Sequence, residues 1–330
     1  MALILSRAAI QRCLDMRGAI EAARIAFLAL HAGEVHMPQR SLVELYASGL
    51  ALLMPSVLAV PEHPAFGLKM LTTFPSNAQQ GLPRSAATVL LVNAANGQTQ
   101  AILEGSWLTA VRTGAVSGLA TDLLARRDAN VLALFGAGAQ APMQVWAIHT
   151  VRPLREVRVV NHDESHYQQL VDTLHHLLGE DCPFIRRVAN SHEALDGALL
   201  VACATAATSP LFSDQNILPG THINAIGAFT PAMCEVDAHT LARARIVVDQ
   251  REAALVEAGD LLQALAQGQI SGADSWLELG ELLNDQQRGR QHPDEITCFK
   301  SVGLGIQDLL TARYVYERAR EMGVGIEVEI

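Results

Sequence analysis

The sequence predicts an α/β fold in two parts, and three observations carry that prediction. After Asp128, short apolar runs alternate with helical segments, the order that builds right-handed crossovers and a parallel sheet. Before Ser106, strand-like runs follow one another with a hairpin turn among them, the order of an antiparallel sheet behind a helix. The chain has 330 residues, too many for one ordinary domain and comfortable for two, and half of it is hydrophobic.

Taken in order, residues 15–32 place apolar side chains at helical spacing, with Asp15 as N-cap and Gly33 as the stop. The period then changes to that of strands over 41–47, 50–59, 66–74 and 88–105, the last folded back at Asn96-Gly97. Ser106 is a candidate N-cap for a long helix over 106–127. A buried strand over 131–138 leads into a helix over 140–151, then a strand over 157–160 and a helix over 166–179. Strands over 184–190, 199–205, 222–228 and 245–249 follow, with one helix over 251–268 and a last amphipathic helix over 306–323. No internal repeat or low-complexity tract interrupts this pattern.

Bulk properties narrow the function. A formal charge of −10, with Lys and Arg scattered rather than blocked, argues against nucleic acid or an anionic membrane as partner. Five cysteines, an odd number with no C-x-x-C spacing, read as buried thiols of a reducing compartment rather than a metal site. The N-terminal residues do not have the order of a signal peptide, and no apolar run reaches the ~18 residues of a membrane span. The expectation is a cytoplasmic enzyme or binder.

The sharpest motif is Gly136-Ala137-Gly138-Ala139-Gln140-Ala141, spaced G-x-G-x-x-A between an apolar strand and a helix. Gly136 permits the tight turn, Gly138 lets backbone approach a pyrophosphate, and Ala141 keeps helix and strand close. The helix N-terminus offers free N–H groups to the anion. Strand and helix on either side turn a weak glycine pattern into a nicotinamide-dinucleotide signature of the Rossmann type. At the end of the next strand, where an NAD enzyme usually keeps Asp, stands Asn161, followed by His162 and Asp163. Asp163 is within reach of a ribose hydroxyl, yet Asn161 with His162 leaves room for a 2′-phosphate, so the reading leans to NADPH over NADH. Lys69 stands out too: an ammonium inside an apolar strand must find a partner.

Seven stretches together resemble the ornithine cyclodeaminase/mu-crystallin family: VHMPQR (35–40), FGLKMLTTFP (66–75), TVLLVNAANGQTQAIL (88–103), LTAVRTGAVSGLAT (108–121), FGAGAQA (135–141), HINAIGAFTP (222–231) and FKSVGLGIQDL (299–309). The resemblance implies a Rossmann domain, 118–304, inserted in an α+β substrate and dimerisation domain made of 1–117 and 305–330, and hence a homodimer. It also implies that Arg40, Lys69 and Arg112 hold a small imino or amino acid, with Lys69 catalytic. A carboxylate suits a forked Arg donor, and a Lys adds a point charge or a proton. On the same basis Arg112 and Thr113 touch the cofactor phosphates, while Thr205 and Ser301 lie near the nicotinamide; for both hydroxyls a plain backbone-capping role is an equal alternative.

One departure decides the expected reaction. Cyclodeaminases and alanine dehydrogenases of the family keep a catalytic Asp where this sequence has Gly227-Ala228-Phe229. Oxidising an amine calls for a base beside it, whereas reducing a preformed cyclic imine needs carboxylate anchoring, a proton and a hydride. The resemblance is therefore to the ketimine reductases: Δ1-pyrroline-2-carboxylate, with Δ1-piperideine-2-carboxylate as a further substrate, reduced to L-proline or L-pipecolate. Phe229 is expected to wall the substrate pocket, with plain core as the alternative. Glu235 and Asp237 are acidic candidates, more simply read as a solvated loop after Pro231. The alternatives are an ornithine cyclodeaminase or amino-acid dehydrogenase finding its acid elsewhere, and a non-catalytic NADPH- or ligand-binding protein. A dinucleotide-sensing regulator ranks low, for want of a basic patch.

Overall fold

The computed structural model describes residues 1–61 and 64–330, with nothing stated of the Ala47 and Ala78 side chains. In chain order the elements are β1 (Ala2–Leu5), α1 (Arg7–Cys13), α2 (Met16–His31), β2 (Val35–His36), β3 (Ser41–Glu44), β4 (Leu50–Leu58), β5 (Ala65–Thr73), β6 (Ser85–Val92), β7 (Thr99–Glu104) and α3 (Gly105–Leu124). There follow β8 (Val131–Phe135), α4 (Ala141–Val151), β9 (Glu156–Val160), α5 (Glu164–Leu178), β10 (Phe184–Val188), α6 (Ser191–Leu195), β11 (Leu200–Cys203), β12 (His222–Ala225), α7 (Ala238–Arg243) and β13 (Ala244–Val248). The last are α8 (Arg251–Glu257), α9 (Gly259–Ala266), β14 (Leu277–Glu278), α10 (Leu279–Asn284), β15 (Ile296–Lys300), α11 (Gly305–Met322) and β16 (Ile326–Val328). The chain divides into two compact units, one of Met1–Arg112 with Leu304–Ile330 and one of Thr113–Gly303.

The first unit is a sheet in the order β16-β1-β7-β6-β5-β4-β2, with β3 on β4. It is antiparallel except where β1 runs parallel to β7. Its helices α2 and α11 pack together, and α11 lies along β4, β5 and β6. Asp15 caps α2 as its residue type predicts, its carboxylate accepting from the Gly18 N–H at 2.7 Å. A glycine brings α11 close to the sheet: a Cβ at Gly67 of β5 would meet the Leu309 side chain at 2.9 Å. That proximity sets the start of α11 beside Lys69 on the same strand. Ser106 does not cap α3. Glu104 takes that role, accepting from the Ser106 and Trp107 N–H groups, and the Ser106 hydroxyl instead accepts from Ala87 across the sheet.

The second unit is an all-parallel sheet in the order β10-β9-β8-β11-β12-β15-β13-β14. Alternate residues feed two cores, Ala133, Phe135, Val201 and Cys203 on one face and Leu132, Leu134, Leu200 and Ala202 on the other. This is the doubly covered arrangement that makes parallel strands continuously apolar. The residues over 251–268 form two helices rather than one, broken at Ala258. Gly259 sits against the Thr230 and Met233 carbonyls, where any side chain would overlap them, and Asp260 turns inward. Tertiary demand thus overrides a helix-favouring sequence. Strand β15 is an element that periodicity does not signal.

Candidate active site

In the first unit, charged groups from three elements meet below the surface. Lys69, on β5 between Met54 of β4 and Val89 of β6, is 2% exposed. Its Nζ lies 2.7 Å from Oδ2 of Asp308 in the first turn of α11. The other oxygen of that carboxylate accepts from Nε of Arg112 at 3.1 Å, and the neighbouring Gln307 accepts from Arg112 Nη1 at 2.5 Å. Gln307 is buried, and its Nε2 finds no acceptor among the described residues. Arg40, half-buried, is near enough for its charge to act on Lys69. Two cations therefore share one carboxylate, and the charge of a third reaches Lys69. Burial first, then the Arg112 charge and to a lesser degree Arg40, push the Lys69 ammonium down to about 8, while Asp308 works against them.

In the second unit, β8 ends at Phe135 and α4 begins at Ala141, so Gly136 to Gln140 form the connecting loop. Gly136 has φ 97°, and a Cβ there would meet the Ala204 carbonyl oxygen at 2.7 Å. At Gly138 a Cβ would meet nothing within 4 Å. Together with exposed Ala139 and the N-terminus of an eleven-residue helix, this open, glycine-lined cradle fits a dinucleotide pyrophosphate. Thr113 follows Arg112 within α3.

The residues past β9 have mixed roles. Asn161 Nδ2 donates to the Asp163 carbonyl at 2.6 Å, and its own carbonyl accepts from Arg187 Nε at 2.9 Å. The Asp163 carboxylate caps α5, accepting from the Ser165 hydroxyl and the His166 N–H, which hold it below the usual carboxylate range. His162 is exposed.

At the C-terminal ends of β11, β12 and β15, buried carboxylates organise the loops. Glu235 is fully buried rather than part of a solvated loop. One of its oxygens accepts from the Thr205 N–H at 2.7 Å and hydroxyl at 2.8 Å, the other from the Gly227 and Ala228 N–H groups at 2.7 and 3.1 Å. Gly227 leaves room for this: any Cβ would overlap both the Glu235 carboxylate and the Thr205 backbone. Burial raises the Glu235 carboxyl above its ordinary value, partly offset by Lys300 and the Thr205 hydrogen bonds. Asp260 accepts from the Glu235 and Val236 N–H groups and pairs with Lys300 Nζ at 2.6 Å. Asp249 receives the Ser301 hydroxyl with the Val302 and Gly303 N–H groups. Asp237 caps α7. Phe229 is 46% exposed, which removes the plain-core alternative.

Sequence reasoning missed Asp308, Gln307, Asp249, Asp260 and Lys300. Three of these lie inside the 299–309 stretch, but nothing local tells a buried carboxylate in a helix's first turn from one that merely complements its dipole. Among the described residues no group of three His, Cys, Asp or Glu side chains is placed to hold a metal, and no helix is long and apolar enough to cross a membrane. All five cysteines are unpaired.

Comparison with known proteins agrees on one lineage. Residues 1–323 match the model of the ornithine cyclodeaminase/mu-crystallin family. A Delta(1)-pyrroline-2-carboxylate reductase of Bacillus cereus is 36% identical over 329 residues, 99% of either chain. The solved Delta(1)-pyrroline-2-carboxylate reductase of Thermococcus litoralis, in complex with NADH and L-proline, superposes with a TM-score of 0.92 at 35% identity, covering 99% of this chain and all of that one. An archaeal alanine dehydrogenase dimer with bound NAD gives 0.89 at 30% identity, covering 100% and 99%.

Proposed function

The chain belongs to the ornithine cyclodeaminase/mu-crystallin family, and on that premise we propose that it reduces Δ1-pyrroline-2-carboxylate to L-proline with a reduced nicotinamide dinucleotide. The observation that carries the reading is the pairing of Lys69 and Arg112 on the carboxylate of Asp308, with the Arg40 charge acting on the same lysine. Such a site attracts a small anion and keeps a proton ready. Arg112 and Arg40 pair with the substrate carboxylate, the guanidinium fork matching its two oxygens. Lys69 gives its proton to the imine nitrogen and recovers one from solvent; an ammonium lowered to about 8 does so readily near neutral pH. The reduced dinucleotide, when bound, supplies the hydride received by C2. By the family resemblance Phe229 is read as an apolar wall for the ring, and Δ1-piperideine-2-carboxylate as a further substrate of the same kind.

The strand end past β12 supports reduction over amine oxidation. Gly227-Ala228-Phe229 carries no carboxylate, and Glu235 beneath it is occupied by four donors. The archaeal alanine dehydrogenase keeps amino-acid oxidation as the rival. Thr113, Gly136, Gly138, Ala139, Gln140, Thr205 and Ser301 are read as the cofactor's surroundings. Past β9, Asn161 and His162 with Arg187 close by, and an Asp163 already committed to capping α5, favour a 2′-phosphate and so NADPH over NADH.

Pairing with a second copy is part of the reading. Every residue of β3 is exposed, and Leu42, Val43, Tyr46, Leu50 and Met70 leave an apolar surface on the first unit. The proposed compartment is a reducing cytoplasm, in keeping with five free thiols.

The test supplies cyclic ketimine with NADPH or NADH, and separately L-ornithine with NAD. Loss of reduced-nicotinamide absorbance on adding imine is expected. Ammonia release from ornithine at a comparable rate would sink the preference for reduction, and unchanged absorbance would make the protein a binder. Lys69→Ala and Arg112→Ala should each lose at least about a hundredfold in kcat/KM, the order expected for a lost acid or charge-paired anchor. A higher kcat/KM with NADH than with NADPH would overturn the cofactor preference, and a monomer by light scattering the pairing.

A further inference from the structure

Resting on that reading of the site, we propose that Asp308 is a positioning residue that fixes Lys69 and Arg112 relative to one another and keeps the Lys69 ammonium charged for proton transfer. The two cations come from different elements, β5 and α3, and both are buried. Left to themselves, two buried like charges separate or lose a proton. Asp308 prevents both, with one oxygen on each: Oδ2 to Lys69 Nζ at 2.7 Å and Oδ1 to Arg112 Nε at 3.1 Å.

The carboxylate's own charge is supported by its place in the first turn of an eighteen-residue helix, where the free N–H ends of the peptide dipoles favour an anion. Gln307 adds a second hold on the same guanidinium at Nη1, so adjacent residues of one turn fix the guanidinium plane. The Gln307 Nε2 donor, buried and without an acceptor among the described residues, has capacity for one more oxygen. A substrate carboxylate is of the right type.

The groups acting on Lys69 are Arg112 from α3, Asp308 from α11 and Arg40 from the segment before β3. Arg112 and Arg40 repel its proton, as burial does; Asp308 retains it. Neutralising Asp308 therefore removes the anion paired with Lys69 and Arg112, and Lys69 deprotonates at lower pH. A residue serving only to hold the fold would alter the amount of active protein without moving this titration.

Asp308→Asn and Asp308→Glu in the full chain separate these roles. Lys69 is titrated directly by NMR of protein carrying ε-¹³C lysine, with Lys69→Arg to assign the signal, and the pH profile of kcat/KM for imine reduction is recorded beside it. In Asp308→Asn, both the titration and the alkaline limb should move down by about one to three pH units, the range for loss of an adjacent opposite charge. Asp308→Glu keeps the charge but moves it by a methylene. Its titration should stay within about one unit of the parent, while kcat/KM falls on the order of a hundredfold through misplacement. An unmoved Lys69 titration in a folded Asp308→Asn protein overturns the proposal. Should that variant not fold, parent-like kcat/KM in Asp308→Glu overturns it. If the parent reduces no imine, the functional reading fails, and the NMR titration still decides the role of Asp308.

Discussion

Glu235→Gln is a near-isosteric change with a calculable cost. The Glu235 carboxylate meets four donors, two on each oxygen: Thr205 N–H and hydroxyl, and the Gly227 and Ala228 N–H groups. Three of these are N–H groups that cannot accept a carboxyl proton, and the Thr205 hydroxyl oxygen already accepts from the Ala207 N–H, so the ionised form is the one that fits best, although burial raises its proton affinity. Glutamine keeps one acceptor oxygen and turns an NH2 group toward the other two donors. Each buried donor so orphaned costs about 1–3 kcal/mol, roughly 2–6 kcal/mol for two. Relief from burying a charge offsets part of this, leaving about 2–4 kcal/mol. For a unit of this size each kcal/mol lowers Tm by roughly 2–4 °C, so a drop on the order of 10 °C is expected. The same loops flank the expected nicotinamide end of the cofactor, so NADH and NADPH should bind more weakly as well. Thermal melting with and without nucleotide, and nucleotide titration by fluorescence, measure both. A variant melting within a degree or two of the parent, with unaltered nucleotide affinity, would refute an ionised Glu235 tying the two strand ends together.

The remaining predictions concern proton supply and the cradle. With Lys69 at about 8, kcat/KM for imine reduction should be flat through neutrality and fall as pH rises past that value, while proline oxidation gains over the same range; Lys69→Arg should lose the limb. The stability consequence has the opposite sign. The folded value lies below the ordinary 10.5, so between about 8 and 10.5 the unfolded chain binds the extra proton and Lys69 contributes stability that grows with pH, a rise that Lys69→Met melts should lack. Gly138→Val places its side chain in open space, so its melt should match the parent within about 0.5 kcal/mol. Nucleotide Kd should nevertheless rise at least about tenfold, the equivalent of 1.4 kcal/mol; retained affinity would remove Gly138 from the cradle.

What the sequence makes legible depends on how far its determinants reach. The glycine loop is readable because strand, turn and helix start all lie within a dozen residues, and each glycine answers a local demand. The two sheets are readable for the same reason: period-two runs around Asn96-Gly97 in one and continuous apolar runs such as 131–135 in the other. Lys69 is conspicuous because a charge in an apolar strand needs a partner, yet the identity of that partner is not local. Asp308 lies 196 residues from Arg112 and meets it only once α11 has packed on β5. The same limit explains Glu235, which follows Pro231 in a polar-looking stretch and reads as solvated until the ends of β11 and β12 close over it. It explains the break at Ala258 too, where helical propensity yields to the burial of Gly259 and Asp260.

Charge accounting joins these pieces to the chemistry. An amino-acid oxidase or cyclodeaminase must take a proton from an ammonium substrate before hydride leaves, and a carboxylate is the usual acceptor. Among the described residues the buried carboxylates are all committed: Asp308 to two cations, Glu235 to four backbone and hydroxyl donors, Asp260 to Lys300, Asp249 to Ser301 and its neighbours. A cationic amine entering beside Lys69 and Arg112 would meet repulsion, with Asp308 already shared between them. An anionic imine meets the reverse: its carboxylate is drawn to the arginines, and its nitrogen needs the proton that Lys69 holds loosely. The surplus of positive charge around Asp308 thus selects a substrate that is an anion and takes up a proton.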